Sequence, residues 1–286
     1  MRRMFTFILL TALTAYADDD PSDQSAAVNQ EAERRDEVSR TARAKVRRLN
    51  ITVGKEHAAV LRPESLLRWS NPTIGTIYGE VFLWTVGGRP VAIGSVYRRY
   101  DRPWGWNLEL VSTCGSPLQA VEEQATLWDA QTAGVEFRPF PEAPPPAQKS
   151  ATRLSQMRKL AARFSSELAD GRTDEDVNRQ LRLLSQPLYR YSTEEENVVD
   201  GAVFAVAEST DPELWILLEA AKHGEGARWR YALARMDSWS MQVRLDGDLV
   251  QTWDKVDKPW ANRQAPYTAV PFLPDVEGSA ARADGR

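Results

Sequence analysis

Cysteine is nearly missing from this chain. Cys114 is the only one among 286 residues, so no disulfide can form within the molecule. The core must stand on apolar burial alone, which is feasible at this length. Cys114 follows the apolar pair Leu110-Val111 and is expected to be buried and inert. Histidine is almost as scarce. His57 and His223 stand far apart, and neither has a partner at H-x-x-x-H spacing. A zinc site from Cys114 and both histidines lacks supporting spacing. The G-x-S-x-G elbow, the P-loop and the G-x-G-x-x-G fingerprint are also missing. The sequence thus implies no metal, no cofactor and no catalytic residue set. Nor is there an excess of positive charge: the formal net charge is −4, without the basic face that a nucleic-acid partner needs.

Long apolar runs are absent as well, so no transmembrane span is expected. The one short run, Met4 to Leu13, follows the basic pair Arg2-Arg3 and precedes Ala15-Tyr16-Ala17. That order is the grammar of a secretory signal peptide over residues 1–17. The mature protein is expected to begin near Asp18 and to be periplasmic or extracellular. No cysteine stands at the cleavage site, which argues against a lipid anchor.

What is present is a repeat. The skeleton of Leu66 to Pro90 returns in Leu188 to Pro212. Leu66, Arg68, Ser70, Gly79, Val81, Phe82 and Pro90 match Leu188, Arg190, Ser192, Gly201, Val203, Phe204 and Pro212 at a constant spacing of 122 residues. Trp69 and Tyr191 add an aromatic exchange. Chance alone gives roughly 6% identity between sequences of ordinary composition, so the pattern reads as an internal duplication.

Patterning gives an α+β reading. Val38, Ala42, Val46 and Leu49 recur at helical spacing, and so do Leu154, Met157, Leu160, Phe164 and Leu168. Each helix precedes a run of strand-like segments. Tyr78–Val86 and Val91–Arg99 flank Gly87-Gly88, and Ala202–Ala207 and Leu214–Ala220 flank Thr210-Asp211. Asp246-Gly247 marks another tight turn. The expectation is two similar units, each one long helix on a curved antiparallel meander, by analogy with cystatin-like or NTF2-like folds. Residues 18–30 are expected to be flexible, 31–139 and 149–273 to form the units, the Pro-rich 140–148 to link them, and 274–286 to be disordered.

Candidate binding residues follow from aromatic and arginine placement. Arg68-Trp69 and Arg190-Tyr191 sit at equivalent places in the repeat, and Arg102 and Trp104 lie in a loop of Arg, Pro and Trp. Such sets suit sugar stacking or peptide contact. The competing reading for Arg68 and Arg190 is structural, each pairing with a carboxylate or stacking on its neighbour. Trp84, Trp106, Trp215 and Trp229 fall on strands and are expected in the core. Glu122-Glu123, Glu194 to Glu196 and Asp246 with Asp248 are carboxylate pairs of the kind a glycosidase sets across a cleft, a separation that sequence does not show; Glu194 to Glu196, in a polar loop, read as solvated.

The motifs Leu61-Arg62-Pro63-Glu64, Leu66 to Pro72 and Tyr78 to Trp84 with Gly88-Arg89-Pro90 resemble a family of uncharacterised exported proteins of planctomycete bacteria. Gln186 to Tyr191 and Asp200 to Phe204 are similar to that family's second half. Members carry a histidine in the third strand of the first unit; here Trp106 to Leu110 has none. The resemblance implies export and no activity. Paired units, abundant aromatics and no catalytic constellation point to a non-catalytic binding protein of the cell envelope, its partner an envelope protein or polysaccharide. The alternative is a hydrolase or isomerase with its site in a concave sheet, which a deep pocket with two facing carboxylates would favour.

Overall fold

The computed structural model describes residues 21–54, 56–103, 105–170, 177–194 and 197–274. Residues 1–20, which include the stretch expected to be a signal peptide, and residues 275–286 lie outside them. The first half comprises α1 (Pro21–Arg47), β1 (Leu49–Val53), β2 (His57–Ala58), β3 (Val60–Leu61), β4 (Leu67–Ser70), β5 (Ile77–Val86), β6 (Arg89–Arg99), β7 (Trp106–Ser112), β8 (Leu118–Glu122) and β9 (Ala125–Ala130). A short β10 (Arg138–Pro139) follows. The second half comprises α2 (Ser150–Ala161), β11 (Phe164–Asp170), β12 (Val177–Gln180), β13 (Arg182–Leu183), β14 (Tyr189–Thr193), β15 (Val198–Glu208), β16 (Asp211–His223), β17 (Gly226–Arg235), β18 (Ser240–Leu245) and β19 (Asp248–Trp253), with β20 (Tyr267–Pro271) last.

The expected α+β class is wrong. The chain is 51% strand and 14% helix, arranged as four antiparallel sheets with two helices among the described residues. It is not two units of one long helix on a meander, and the cystatin-like and NTF2-like analogies fall with it. The second helix shows why. Leu160, Phe164 and Leu168 are four apart, a spacing that suits one helix face and also every second residue of a strand pair. The chain leaves the helix after Ala161, and Phe164, Ser166 and Leu168 are buried on alternate positions of β11. Residues 21–30, expected to be flexible, belong to α1.

Each half contributes an outer and a central sheet. The outer sheets run β2-β1-β8-β9 and β12-β11-β18-β19; the central sheets run β20-β7-β6-β5-β3 and β10-β17-β16-β15-β13, with β4 and β14 pairing β5 and β15. Strand for strand the two orders correspond. The edge strands are exchanged: β10 pairs with β17 of the second half, and β20 pairs with β7 of the first. The boundary expected at residue 140 is therefore crossed by strand pairing in both directions.

The near-continuous apolar runs of β5 and β15 are explained by burial on both faces. Phe82 and Trp84 point into a core shared with α1 and the first outer sheet, whereas Val81 and Leu83 point the other way. Phe204 and Val206 likewise meet α2 and the second outer sheet, while Val203 and Ala205 face Val81 and Leu83 in a middle core between the central sheets. Trp84, Trp106, Trp215 and Trp229 are all at most 5% exposed. Cys114 is free and buried.

The repeat's conserved spacing has a packing cause. Trp69 lies opposite Gly79 and Tyr191 opposite Gly201 in equivalent strand pairs. A Cβ on Gly79 would sit 2.2 Å from Trp69 Cε2, and one on Gly201 would sit 2.5 Å from Tyr191 Cζ. Each ring therefore covers a glycine backbone that nothing larger can replace. Gly79→Ala or Gly201→Ala is expected to cost about 1–3 kcal/mol by overpacking, read as a lower urea midpoint. A loss under about 0.5 kcal/mol would show that the rings move aside freely.

Candidate functional site

The paired arginines read from the repeat turn out to anchor helices. Glu80 on β5, 1% exposed, takes Arg43 Nη2 of α1 at 2.6 Å and has Arg68 Nε at 3.8 Å. Asp200 on β15, 4% exposed, takes Arg153 Nε of α2 at 2.7 Å and Arg190 Nη2 at 2.6 Å. One buried carboxylate thus ties a helix arginine to a strand arginine in each half. Arg68 and Arg190 do not line one groove. Arg68 and Trp69 border a small cavity of about 100 Å³ beside α1, and Arg190 and Tyr191 border a separate groove of about 480 Å³ beside α2.

Trp69 also faces elsewhere, and there it meets Arg102. Both line a cavity of about 210 Å³ where the two central sheets meet. Trp104 lies outside the described residues. The cavity's distinguishing residues are acids: Glu109 from β7, Asp211 and Glu213 from the start of β16, and Asp237 from the loop after β17. Trp69, Tyr97 and Trp239 supply aromatic walls. A larger groove of about 620 Å³ runs along α1, but Lys45 and Glu122 in it pair at 2.6 Å.

The acids sit together because the halves interlock there. The N–H of Ser70, at the end of β4, donates to Thr210 Oγ1 at 2.9 Å, and the Thr210 hydroxyl returns a bond to the Ser70 carbonyl at 2.8 Å. Buried Asn71 donates to Glu208 at 2.9 Å. These bonds pin the β15–β16 turn, and so Asp211, against the first half. On the other wall, Arg235 donates to the carbonyls of Asp237, Trp239 and Asp254 at 2.6–2.8 Å. That arginine is spent on shaping the loop that presents Asp237 and Trp239.

Burial dominates the electrostatics. Glu109 is pushed up to about 8, first by desolvation and then by the charge of Asp237, against the hydrogen bond from Tyr267 Oη at 2.8 Å. Desolvation holds Asp211 well above the carboxylate range, with Glu109 and Asp237 adding repulsion and the Asn71 hydrogen bond opposing. Glu213, 3% exposed, is raised by desolvation and then by Asp237 and Asp211. Arg99 reaches the same cavity but bonds Asp101 at 2.9 Å and the Ile74 carbonyl at 2.9 Å. Among the described residues, no basic side chain makes an ion pair with the four acids.

The opposite end of the central sheets holds the equivalent place, with the charges changed. There Glu219, wholly buried, takes Arg89 Nε at 2.9 Å, Arg230 Nη2 at 2.6 Å and Tyr191 Oη at 2.9 Å. Strand register matches Arg89 with Asp211, Tyr191 with Trp69, Glu219 with Tyr97 and Arg230 with Asn107. At one end the buried carboxylate is paired with two arginines. The other carries an acid where its counterpart carries an arginine.

None of these four acids stood out in the sequence, because they are separated along the chain and meet only through contact between the halves. The groups that did stand out behave as solvated or paired charges: Glu122 with Lys45, and Asp246 with Arg163. Glu195 and Glu196 lie outside the described residues. One signal was available. Asp211 occupies the repeat position of Arg89, an inversion of charge inside an otherwise matching frame.

Comparison with protein-family models, curated proteins and solved structures finds no match. No described helix is long and apolar enough to cross a membrane.

Proposed function

We propose that this chain is a non-catalytic exported binding protein of the cell envelope, and that its ligand enters the acidic pocket between the central sheets. The observation that carries the reading is the contrast between the two ends. The Glu219 end shows that this frame can be closed with its charges satisfied; the Asp211 end leaves four carboxyl groups around a cavity. Burying acids without partners is costly, and a cost kept at one of two equivalent places marks a site. Export rests on the basic head, the short apolar run and the Ala-Tyr-Ala step. The cavity would hold about seven waters, so an envelope protein or polysaccharide would insert one side chain or one sugar. Descent of the halves from one duplicated unit is part of the reading. It is supported by the 122-residue spacing and the matching strand orders. Membership of the planctomycete family rests on the sequence motifs alone.

A hydrolase or isomerase is the second reading, favoured by Glu213 and Asp237 facing each other within hydrogen-bond reach inside the pocket. Paired acids of that kind share a proton in some hydrolases. Binding stands first because an acid–base pair is recognised by environments that push its members apart, whereas Glu109, Asp211 and Glu213 are all pushed upward. A thermal-shift screen with envelope saccharides, amino acids, amines and envelope proteins separates the readings. The expected result is a stabilising hit, roughly 2–4 °C or more, that disappears in Glu213→Gln. Turnover of a hit compound would transfer the site to the enzyme reading, and the absence of any hit would remove the binding one.

A further inference from the structure

The kind of ligand is written in how the carboxyl groups are spread, an inference that rests on the pocket being the binding site. Within the acidic cluster Glu213 stands apart. Its side chain is 3% exposed, it lines the cavity, and no hydrogen-bond donor of the described residues reaches its carboxyl oxygens. The group within reach is another carboxyl, Asp237. Asp237 Oδ1 takes the Trp239 N–H at 2.5 Å and the two carboxyls can share a proton, but no cation of the described residues meets the pair, so a donor entering the cavity finds open acceptors.

A single metal ion does not meet this demand. Among the described residues, no three ligand-type side chains come close enough together to hold one. Yet the four acids act on one another across the cavity. Carboxyl groups that can ionise are therefore distributed around about 210 Å³ rather than focused on a point. Its complement is a cation with charge at more than one place and carbon between. The walls agree. Trp69, Tyr97 and Trp239 offer the ring faces that ammonium groups favour, and the Lys255 ammonium already lies 4.4 Å from the Trp239 centroid.

We propose that this pocket binds a small organic dication, two ammonium groups joined by a short carbon chain, either free or as the amine-bearing end of an envelope polymer. One ammonium lies between Glu213 and Asp237, and the other is met by Glu109 and Asp211. The titratable and charged groups facing these acids are Tyr97 and Arg99 from β6, Tyr267 from β20, Glu208 from β15, Arg235 from β17 and Arg102 at the rim. Entry of the dication ionises carboxyls that hold protons when the cavity contains water, so binding releases protons and strengthens as pH rises from 6 to 9.

Isothermal titration calorimetry on the mature chain tests this with 1,4-diaminobutane, butylamine, butane-1,4-diol, a glucosamine oligomer and calcium chloride. The diamine is expected to bind at least about tenfold more tightly than butylamine, and the diol not at all. Its heat should depend on the buffer's ionisation enthalpy, as proton release demands, and its affinity should rise about tenfold or more between pH 6 and 9. Glu213→Gln should weaken it by about tenfold or more; Asp237→Asn, in a half-buried loop, does the same should the first variant not fold. Tighter binding of the oligomer than of the diamine assigns the amine to a polymer, and the reverse assigns it to a free molecule. Glu213-dependent binding of the diol or of calcium, with none of either amine, overturns the dication while leaving the pocket a binding site. Binding of no compound here or in the wider screen overturns both.

Discussion

Glu219→Ala is expected to destabilise the protein by about 3–5 kcal/mol, the usual result of removing one partner from a buried ion cluster. Glu219 is wholly buried on β16 and holds two guanidinium groups and one phenol at 2.6–2.9 Å. Arg89 comes from the first half and Arg230 from the second, so the carboxylate joins the halves. Both guanidinium groups also lie over the Phe137 ring, 5.0 and 4.7 Å from its centroid. Without Glu219 they face each other across that ring with this carboxylate removed. Glu219→Gln keeps an acceptor and is expected to cost less. Arg89→Ala in the Glu219→Ala background should recover part of the loss, with a coupling of about 0.5–3 kcal/mol. Urea unfolding at constant m-value is the measurement. A loss below about 1 kcal/mol would mean that water replaces the carboxylate and that this end is open too.

The second large effect is an inverted pH dependence. Between about pH 5 and 8 the folded protein holds more protons than the unfolded chain, because Glu109 titrates near 8 and Asp211 and Glu213 are raised well above the carboxylate range. Stability falls with pH wherever the native state binds the more protons. The contribution is complete below the unfolded carboxylate range and is lost as pH rises toward the folded value. The expected fall from pH 5 to 8 is on the order of 2–4 kcal/mol, at most about 1.4 kcal/mol per pH unit for each group. Glu109→Gln should flatten part of the slope. Stability rising over the same interval would show that the pocket carboxyls are ionised and solvated in the folded state. Asp101 and Asp246 work in the opposite sense, lowered by hydrogen bonds from Arg99 and Arg163, but their window lies below pH 4.

Local structure was legible where pattern and turn chemistry agree. The hairpin at Gly87-Gly88 and the Asp246-Gly247 turn stand where the residues place them, with Asp246 and Gly247 both at positive φ. The apolar stripe Val38, Ala42 and Val46 is the buried face of α1. Fold class was not legible, and β11 gives the reason. An interval of four residues between Leu160, Phe164 and Leu168 belongs equally to helix and strand, and Ser165-Ser166 between them weakens a helix. Exchange of β10 and β20 could not be read either, since two and five residues of edge strand carry no record of which sheet they join. Of the candidate residues, Trp69 and Arg102 reach the pocket, Arg190 and Tyr191 bond buried carboxylates, and Arg68, 60% exposed, only approaches Glu80 at 3.8 Å. The acids escaped because each one alone resembles a solvated charge. Only the sheet contact turns Glu109, Asp211, Glu213 and Asp237 into neighbours.

The central claim is that the Asp211 end of the sheets is an acidic pocket in which Glu109, Asp211 and Glu213 hold protons until a cation enters. Carbon-13 NMR of labelled glutamate side chains, titrated without and with 1,4-diaminobutane, addresses it residue by residue. The account predicts that Glu109 titrates near 8 in the free protein and Glu213 well above the carboxylate range, and that both fall by at least about one unit when the diamine is bound. Ordinary carboxylate titration of both residues in the free protein, unmoved by the diamine, would contradict it.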